Sequence, residues 1–398
     1  MTRVGAQAPG SSFSENATPY ATSKVDRVIV ASPRGFCAGV EKAIKALAWM
    51  VKSFDPPIYC YHEIVHNRQV VERFESLGVV FVEDIAQVPP GVPLVLSAHG
   101  AAPEVVRRAR EKNRFVVDAV CPLVTKVHHE VKVRSSKGYQ IIYVGHTGHE
   151  EAIGTMAVAP DAVHLVTTVA DVDEVANKIG IDTPVALLAQ TTLSQDDWKD
   201  IMDYVVDKFP NVWLPDRSDL CFATTNRQSA LKQLVRSCDS VIIIGSINSS
   251  NTQALVKVAQ AQIAISLGDD SLSSIKDESD SREVHRLLEP VAGQQRLQRL
   301  QLRDRRNSGQ LHRVLRINHA GELPSDLEGI IGITAGASAP EYLVQEVISA
   351  LSPVNGVEQL VVTEEDEYFP PPPELRNLLK DGVSDRTTSA AQMLEELS

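Results

Sequence analysis

The sequence has few cysteines and no long hydrophobic run, and each absence excludes a class of protein. Five cysteines in 398 residues are too few, and an odd number, for a disulfide scaffold. The longest apolar runs, such as 241–244, are far shorter than the roughly 18 residues of a membrane span. Residues 1–24 lack the apolar core of a secretory signal, so we interpret them as a disordered leader, with an organelle transit peptide as the alternative. We therefore expect a cytoplasmic protein with reduced cysteines and no membrane partner.

Basic residues are also in the minority. The chain has 39 Lys+Arg against 51 Asp+Glu, and its net charge of −12 disfavours nucleic acid as a partner of the whole surface. The 43% of hydrophobic and 23% of charged residues are typical of a soluble globular protein. The length predicts two or three domains.

What the sequence does contain, from Val25 onward, is an alternation of short β-branched runs with helical patterns. This alternation predicts an α/β protein with parallel or mixed sheets that are covered by helices on both faces. Strands are predicted at 27–32, 93–97, 114–118, 140–145, 185–189, 240–245 and 330–334. Helices are predicted at 41–54, 102–112, 126–137, 195–208, 227–237, 253–265 and 339–351.

Five of the predicted strands end in small polar residues. These polar ends are 97–100, 145–149, 190–194, 245–251 and 334–338. Ligands of such sheets bind beyond the carboxyl ends of the strands. We therefore expect one polar pocket that is assembled from several sheets.

Three of the five cysteines, Cys37, Cys121 and Cys221, precede predicted helix starts at comparable separations along the chain. This spacing predicts three α/β modules, each with one thiol at the same kind of junction. Helix N-termini lower the pKa of a thiol, and the thiolate is the metal ligand, so the three could hold an iron–sulfur cluster with one open iron. The pattern by itself leaves inert core cysteines and a zinc site as alternatives. We interpret Cys60 and Cys238 as core residues.

These patterns divide the chain into a leader (1–24), module one (25–121), module two (122–218), module three (219–363) and a proline-containing tail (364–398). The first strand of module one has the option of joining module three. Module three contains a segment, 267–329, that is too long for an ordinary connection, and residues 296–316 within it carry seven arginines. We interpret this segment as a solvated insertion; the alternative is a docking surface for an acidic partner.

Nine short strings resemble, in order, those of the 4-hydroxy-3-methylbut-2-enyl diphosphate reductase family, which completes the non-mevalonate isoprenoid pathway. The resemblance runs from about residue 27 to residue 360 and is interrupted by 267–329. The strings are PRGFCAG (33–39), VHN (65–67), SAHG (97–100), CPLVTK (121–126), GHTGH (145–149), QTTLS (190–194), ATTNRQ (223–228), NSSN (248–251) and TAGASAP (334–340).

The resemblance implies a cloverleaf of three α/β modules around one 4Fe–4S cluster held by Cys37, Cys121 and Cys221. The implied reaction places the substrate hydroxyl on the open iron and removes it with two electrons and two protons. Its products are isopentenyl diphosphate, dimethylallyl diphosphate and water. The implied electron donor is ferredoxin or flavodoxin, and the protein is expected to be a monomer or a homodimer.

The resemblance also implies roles for single residues. Glu151 would be the proton donor, Thr191 would orient the alcohol and relay the proton, and His149 would hold the diphosphate or the network around the acid. The family usually reads Gly-His-Pro-Glu where this chain reads Gly-His-Glu-Glu, so Glu150 is a second candidate acid. The implied diphosphate ligands are His66, His99, Ser249, Ser250, Asn251 and Ser338.

Two readings from other classes compete with this one. A non-enzymatic iron–sulfur sensor would keep the cysteines but would need neither Glu151 nor the Ser-Ser-Asn ligands. A zinc hydrolase would use Cys and His ligands, and metal analysis of anaerobically purified protein separates it from the other two.

Overall fold

The computed structural model describes residues 24–216, 218–267 and 313–380. The predicted leader up to residue 23, most of the predicted insertion and the end of the tail lie outside these ranges. In the part of the chain that the structure describes, no helix combines the length and the apolar character that crossing a membrane requires.

Module one contains a four-stranded parallel sheet. The chain begins with β1 (Val25–Ser32), and then continues through α1 (Ala38–Ser53), β2 (Ile58–Tyr61), α2 (Arg68–Ser76), β3 (Val79–Val82), β4 (Leu94–Leu96), α3 (Pro103–Lys112) and β5 (Val116–Asp118). The strand order is β3-β2-β4-β5, and every neighbouring pair is parallel. β1 does not belong to this sheet.

Module two repeats this plan. Its elements are α4 (Pro122–Ser136), β6 (Gln140–Val144), α5 (Glu150–Met156), β7 (Val163–Val166), α6 (Val169–Ile179), β8 (Val185–Ala189), α7 (Gln195–Lys208) and β9 (Val212–Trp213). The strand order is β7-β6-β8-β9, again with parallel pairing throughout.

Module three contains a five-stranded parallel sheet. Its elements are α8 (Phe222–Leu234), β10 (Ser240–Ile244), α9 (Ser250–Leu267), β11 (Arg313–Ile317), β12 (Gly329–Ala335), α10 (Glu341–Leu351) and β13 (Val357–Val361), and α11 (Pro373–Lys380) follows. The strand order is β11-β10-β12-β1-β13, so the first strand of the chain lies between β12 and β13. The sequence had left this option open.

Each predicted strand and helix corresponds to an observed element, and the reason is visible in the burial of the strands. All five residues of β8 and of β10 are buried, because helices cover both faces of the sheets. Such strands are nearly continuous apolar runs, which are easy to recognise in a sequence. The predicted α/β class with three modules is confirmed.

The elements that the sequence did not predict are short. They are β2, β3, β7, β9, β11, β13, α2, α5, α6 and α11. β3, β7, β9, β11 and β13 lie at sheet edges, where one side of the strand has no partner in its sheet and the apolar pattern is weaker. The helices α2, α5 and α11 have fewer than ten residues, too few for a clear helical period.

The C-terminal end of the predicted insertion 267–329 contains a strand of module three. β11 pairs with β10 in parallel from Arg313 to Ile317, so this part of the segment belongs to the sheet. Arg313 pairs with Asp326 at 2.8 Å, and Arg316 donates to the Gly245 carbonyl at 3.0 Å. These two arginines therefore bind groups at the edge of the sheet and are not part of a free basic surface.

The tail contacts two of the modules. Residues 362–372 have no regular secondary structure, as expected for the proline-rich part, but Glu365 accepts hydrogen bonds from the buried Arg227. Further along, Leu375 at the start of α11 is fully buried in the core of module one. The tail therefore crosses from module three to module one.

Candidate active site

All twelve predicted site residues line one cavity at the carboxyl ends of the three sheets. The cavity has an empty volume of about 760 Å³, including its open mouth. The predicted residues on its wall are Cys37, His66, His99, Cys121, His149, Glu151, Thr191, Cys221, Ser249, Ser250, Asn251 and Ser338. They come from the loops after several strands of three separate sheets, as the rule for parallel sheets requires.

The three cysteines occupy equivalent positions, each as the residue that caps a helix N-terminus. Cys37 precedes α1, and its Sγ accepts from the Val40 amide at 3.5 Å. Cys221 precedes α8, and its Sγ accepts from the Thr224 amide at 3.2 Å. Cys121 precedes α4, where a proline takes the first helical position. The prediction that these cysteines precede helices is confirmed, and the helix termini turn the three thiols towards one cavity.

The space between the thiols fits a cofactor with soft metal ions. A Cβ on Gly39 would lie 2.7 Å from Cys121 Sγ and 3.8 Å from Cys37 Sγ, so only glycine leaves this space open. Burial, and the negative charge of a Cys37 thiolate, raise the pKa of Cys121 and of Cys221 to about 12. Three such thiolates need positive charge between them, and metal ions supply it.

The spacing of the thiols favours a cluster over one zinc ion. A single zinc ion brings its thiolate sulfurs to within about 4.6 Å of one another. Among the described residues, the groups whose ligand atoms all lie within 4.8 Å are His66–His99–Glu150 and His62–Glu83–Glu150, and the three cysteines do not form such a group. Cys60 and Cys238 are buried in apolar cores away from this wall, as predicted.

Three histidines crowd another part of the wall. The rings of His66 and His99 stack at 4.0 Å, and His149 meets both edge-on at 5.5 and 6.1 Å. Burial and the neighbouring His99 lower the pKa of His66; burial, with His99, His66 and His146, lowers that of His149 to about 3. In the described part of the chain, the wall contains no lysine or arginine. A bound anion would balance positive charge on these rings.

Small polar side chains complete this part of the wall, and their hydrogen bonds connect the modules. Ser338 Oγ donates to the His66 carbonyl at 2.9 Å. Asn251 Oδ1 accepts from the Ala337 amide at 2.9 Å, and Ser250 Oγ accepts from Gln190 Nε2 at 3.1 Å. Ser250 begins the long helix α9. The first backbone amides of this helix therefore add hydrogen-bond donors to the wall, together with the positive end of the helix dipole.

Glu151 is a buried carboxyl that faces the cavity. It is 2% exposed, and its two oxygens accept from the Thr191 amide at 2.8 Å and the Thr191 hydroxyl at 3.0 Å. Burial raises the pKa of Glu151 to about 7, although both hydrogen bonds from Thr191 oppose this shift. A carboxyl with such a pKa can hold and release a proton near neutral pH. His149 caps the same helix and accepts from the Glu151 amide through Nδ1 at 3.1 Å.

Glu150, the other candidate acid, does not line the cavity. Its Oε2 lies 2.7 Å from Nδ1 of His99, which is ion-pair distance, although the two groups are not aligned for a hydrogen bond. Burial alone would raise the pKa of Glu150, but the close contact with His99 and the charges of His99, His66 and His62 lower it to about 2. Of the two neighbouring acids, the geometry favours Glu151 as the proton donor.

Sequence reasoning missed several residues of the site. Thr224 lies with its hydroxyl 3.0 Å from Cys221 Sγ, and Thr192 donates to Ser250 Oγ at 2.9 Å. Both belong to strings that carry the resemblance, and the place of Thr224 three residues after a helix cap was a usable signal. Phe369 lines the cavity from the tail, and no local pattern pointed to it.

The fold and the site define a class: a three-module α/β protein whose central cavity brings three thiols together with a buried carboxyl and a group of histidine and small polar side chains. The profile of the family described as "LytB protein" matches residues 28–352. The chain therefore belongs to the LytB family, whose curated members carry the name 4-hydroxy-3-methylbut-2-enyl diphosphate reductase.

Two such relatives show the extent of the similarity. The one from Mycolicibacterium paratuberculosis is 38% identical over 373 residues, which cover 93% of this chain and 97% of the relative. The one from Rhodopirellula baltica is 41% identical over 352 residues, 88% of this chain and 96% of the relative.

The fold comparison agrees. The structure of the E-1-hydroxy-2-methyl-but-2-enyl-4-diphosphate reductase from Plasmodium falciparum superposes with a TM-score of 0.73 at 31% identity, covering 90% of this chain and 99% of that one. A second solved structure, of (E)-4-hydroxy-3-methyl-but-2-enyl diphosphate reductase, superposes with a TM-score of 0.53 at 26% identity.

Proposed function

We propose that this protein is an iron–sulfur oxidoreductase that removes the allylic hydroxyl of 4-hydroxy-3-methylbut-2-enyl diphosphate, the last step of the non-mevalonate pathway. The substrate takes up two electrons and two protons, and the carbon–oxygen bond breaks to release water. The products are isopentenyl and dimethylallyl diphosphate. The observation that carries this proposal is the single cavity in which three thiols, a buried carboxyl and a set of anion ligands meet.

We assign the cofactor as one 4Fe–4S cluster on Cys37, Cys121 and Cys221. Three thiolates leave one iron of such a cluster without a protein ligand. When bound, the cluster supplies single electrons and an open Lewis-acidic iron for the substrate hydroxyl. The space that Gly39 leaves beside two of the thiols supports this assignment.

At the anion-binding part of the wall, the protein binds the diphosphate through hydrogen bonds from side chains that are already positioned. We assign this role to His66, His99, His149, Ser249, Ser250, Asn251 and Ser338. Because Nδ1 of His149 accepts a backbone hydrogen bond, the neutral ring carries its proton on Nε2 and can donate it to an anion. These side chains are largely buried, so they keep bulk water away from the anion. The hydrogen bonds between the protein and the anion are stronger for that reason.

Near the thiols, Glu151 and Thr191 handle the proton. Protonated Glu151 can pass its proton through the Thr191 hydroxyl to the departing hydroxide, because the two groups are 3.0 Å apart. The same hydroxyl can orient the substrate alcohol. An iron–sulfur sensor would have no use for a buried acid next to anion ligands, so this pair favours the enzyme over that alternative.

Ferredoxin or flavodoxin is the electron donor that we propose. The reaction needs electrons one at a time, and the sequence contains no G-x-G-x-x-G string after a strand that would indicate direct nicotinamide binding.

The test is anaerobic reconstitution of the full chain with iron and sulfide. We expect about four irons and four sulfides per chain after complete reconstitution, and a broad visible absorption band. Addition of the diphosphate substrate and a dithionite-reduced dye should then yield both products by mass spectrometry. A reconstituted cluster without turnover would favour the sensor, and a colourless protein with bound zinc would favour the hydrolase.

A further inference from the structure

Glu150 lies behind the diphosphate-binding wall and contacts two histidines at once. Its Oε2 is 2.7 Å from Nδ1 of His99, and its Oε1 is 3.6 Å from Nδ1 of His62. The side chain is 17% exposed, whereas Glu83, which pairs with His62 at 2.8 Å, is 77% exposed. The carboxylate of Glu150 is therefore a largely buried charge directly behind a residue of the cavity wall.

We propose that Glu150 is a positioning residue for the diphosphate: its carboxylate holds His99 through Nδ1, so that Nε2 of His99 points to the cavity as a charged donor when the anion binds. This inference rests on the proposed function, because it assigns the anion whose binding Glu150 supports. Glu150 itself does not touch the substrate.

The geometry of the ring gives the physical reason. The contact between His99 and Glu150 is an ion-pair contact at 2.7 Å without hydrogen-bond alignment. A ring whose Nδ1 lies next to a carboxylate has Nε2 on its other side, and this nitrogen then donates to a phosphate oxygen when the ring is protonated. The groups that face His99 are His66, His149, Ser97 and Glu150, and Glu150 is the only carboxylate among them. Glu150 is thus the nearest source of negative charge for a His99 cation.

A carboxylate next to His99 would support positive charge in the cavity wall. Its described residues include no lysine or arginine, so the histidines carry the positive charge that a diphosphate requires. Both neighbours of His99 in the histidine cluster oppose a further positive charge at this site. A buried carboxylate at hydrogen-bond distance offsets that repulsion.

Position 150 allows a clean test, because it is the first helical residue of α5. Proline suits this position, so Glu150→Pro removes the carboxylate without breaking the helix. Glu150→Gln keeps the size and removes the charge, and Glu150→Asp keeps the charge on a shorter side chain. Glu83→Gln is the matched control, since it removes an exposed carboxylate that pairs with the same nitrogen of His62.

The measurement is calorimetric titration of the anaerobic holoenzyme with inorganic diphosphate, together with KM and kcat for the substrate. We expect Glu150→Gln and Glu150→Pro to weaken diphosphate binding roughly 10- to 100-fold and to raise KM alike, with kcat within about twofold of wild type. Glu150→Asp should bind more tightly than Glu150→Gln, and Glu83→Gln should bind within about twofold of wild type.

Three other outcomes would contradict the inference, and each points to a different cause. If Glu150→Gln binds like wild type while Glu150→Asp is weak, the residue fills space and the inference is wrong. If binding by the wild type requires a divalent cation that Glu150→Pro no longer holds, the carboxylate is a metal ligand and the inference is also wrong. If wild-type holoenzyme does not bind diphosphate at all, the diphosphate site of the proposed function fails, and the inference fails with it.

Discussion

Two consecutive carboxyl groups, Glu150 and Glu151, acquire opposite ionisation behaviour in this protein. The pKa of Glu151 rises to about 7 because its burial outweighs the two hydrogen bonds from Thr191. The pKa of Glu150 falls to about 2 because histidines surround it and outweigh its burial. One turn of helix thus presents a proton reservoir to the cavity and a fixed charge to the histidines behind its wall.

The first prediction concerns Glu151→Gln. The variant should bind substrate nearly as well as the wild type but lose turnover on the order of 10²-fold, because only the carboxyl can donate the proton. Wild-type kcat should fall as the pH rises through about 7, since the protonated form is the donor. Kinetics from pH 6 to 9 check both points; an equal loss in Glu150→Gln would show that the acid role lies elsewhere.

The same carboxyl makes a second prediction, about stability. Its pKa in the folded protein lies above the ordinary value of 4.5, so burial of the charged form destabilises the fold increasingly as the pH rises from 4.5 to about 7, and fully above that. Glu151→Gln in the cluster-free protein should therefore raise the thermal midpoint at pH 8 but leave it nearly unchanged at pH 4.5. Scanning fluorimetry at the two pH values measures this, and a gain of equal size at both would contradict it.

The third prediction concerns the thiols. Replacing Cys37, Cys121 or Cys221 by serine should abolish turnover and most of the visible absorption, because serine is a poor ligand for iron in such a cluster. Cys60→Ser is the control, since Cys60 is fully buried in the core of module one. It should reduce stability and keep the cluster. A Cys60 variant without the cluster beside a Cys221 variant that keeps it would overturn the ligand assignment.

Among the elements, the tail contacts a residue that is distant in sequence, Arg227 of α8. Arg227 in α8 is fully buried and donates to the Gly35 and Phe36 carbonyls just before Cys37, while Glu365 of the tail neutralises it. The tail thereby fixes the loop that carries one thiol. It also brings Phe369 to the cavity wall.

The fourth prediction tests this contact. Glu365→Ala leaves a buried cation without its counter-charge, and we expect a loss of roughly 3 kcal/mol in the free energy of unfolding, seen as a lower thermal midpoint, with faster loss of the cluster. Asp196→Asn is the control, because it breaks the more exposed ion pair of Lys232 on the same helix and should cost less than about 1 kcal/mol. Equal losses of stability in both variants would contradict this prediction, because the buried ion pair would then contribute no more than the exposed one.

At the scale of the whole molecule, three sheets contribute to one cavity. The chain between α9 and β11 lies outside the described residues, and it includes five of the predicted basic residues, Arg296, Arg299, Arg303, Arg305 and Arg306. The elements on either side are complete, because β11 pairs with β10 from Arg313 onward.

The fifth prediction is that residues 270–309 can be replaced by a short Gly/Ser linker. Cluster content and dye-driven turnover should be unchanged, because a helix and a neighbouring parallel strand need only a few residues to connect them. Turnover with ferredoxin at low salt should also be unchanged if the segment is a solvated insertion. A selective fall of the ferredoxin rate would instead assign its arginines to docking of the acidic donor.

The sequence by itself determined the α/β class and the long elements, and its resemblance to a family pointed to twelve of the residues that line the cavity wall. Buried parallel strands are continuous apolar runs, and the residues after them are small and polar because a ligand must approach there. The cysteines were recognisable because each precedes a helix, which is a local property of the chain.

Only the tertiary structure decided which side chains meet. It placed β1 in the sheet of module three and β11 beside β10, because strand pairing depends on distant partners and not on local pattern. It also separated Glu150 from Glu151, since the direction of each side chain and its partners, His99 and Thr191, come from other parts of the chain. Burial and charge at a site are sums over such distant neighbours, so neighbouring residues of the same type can acquire different chemistry.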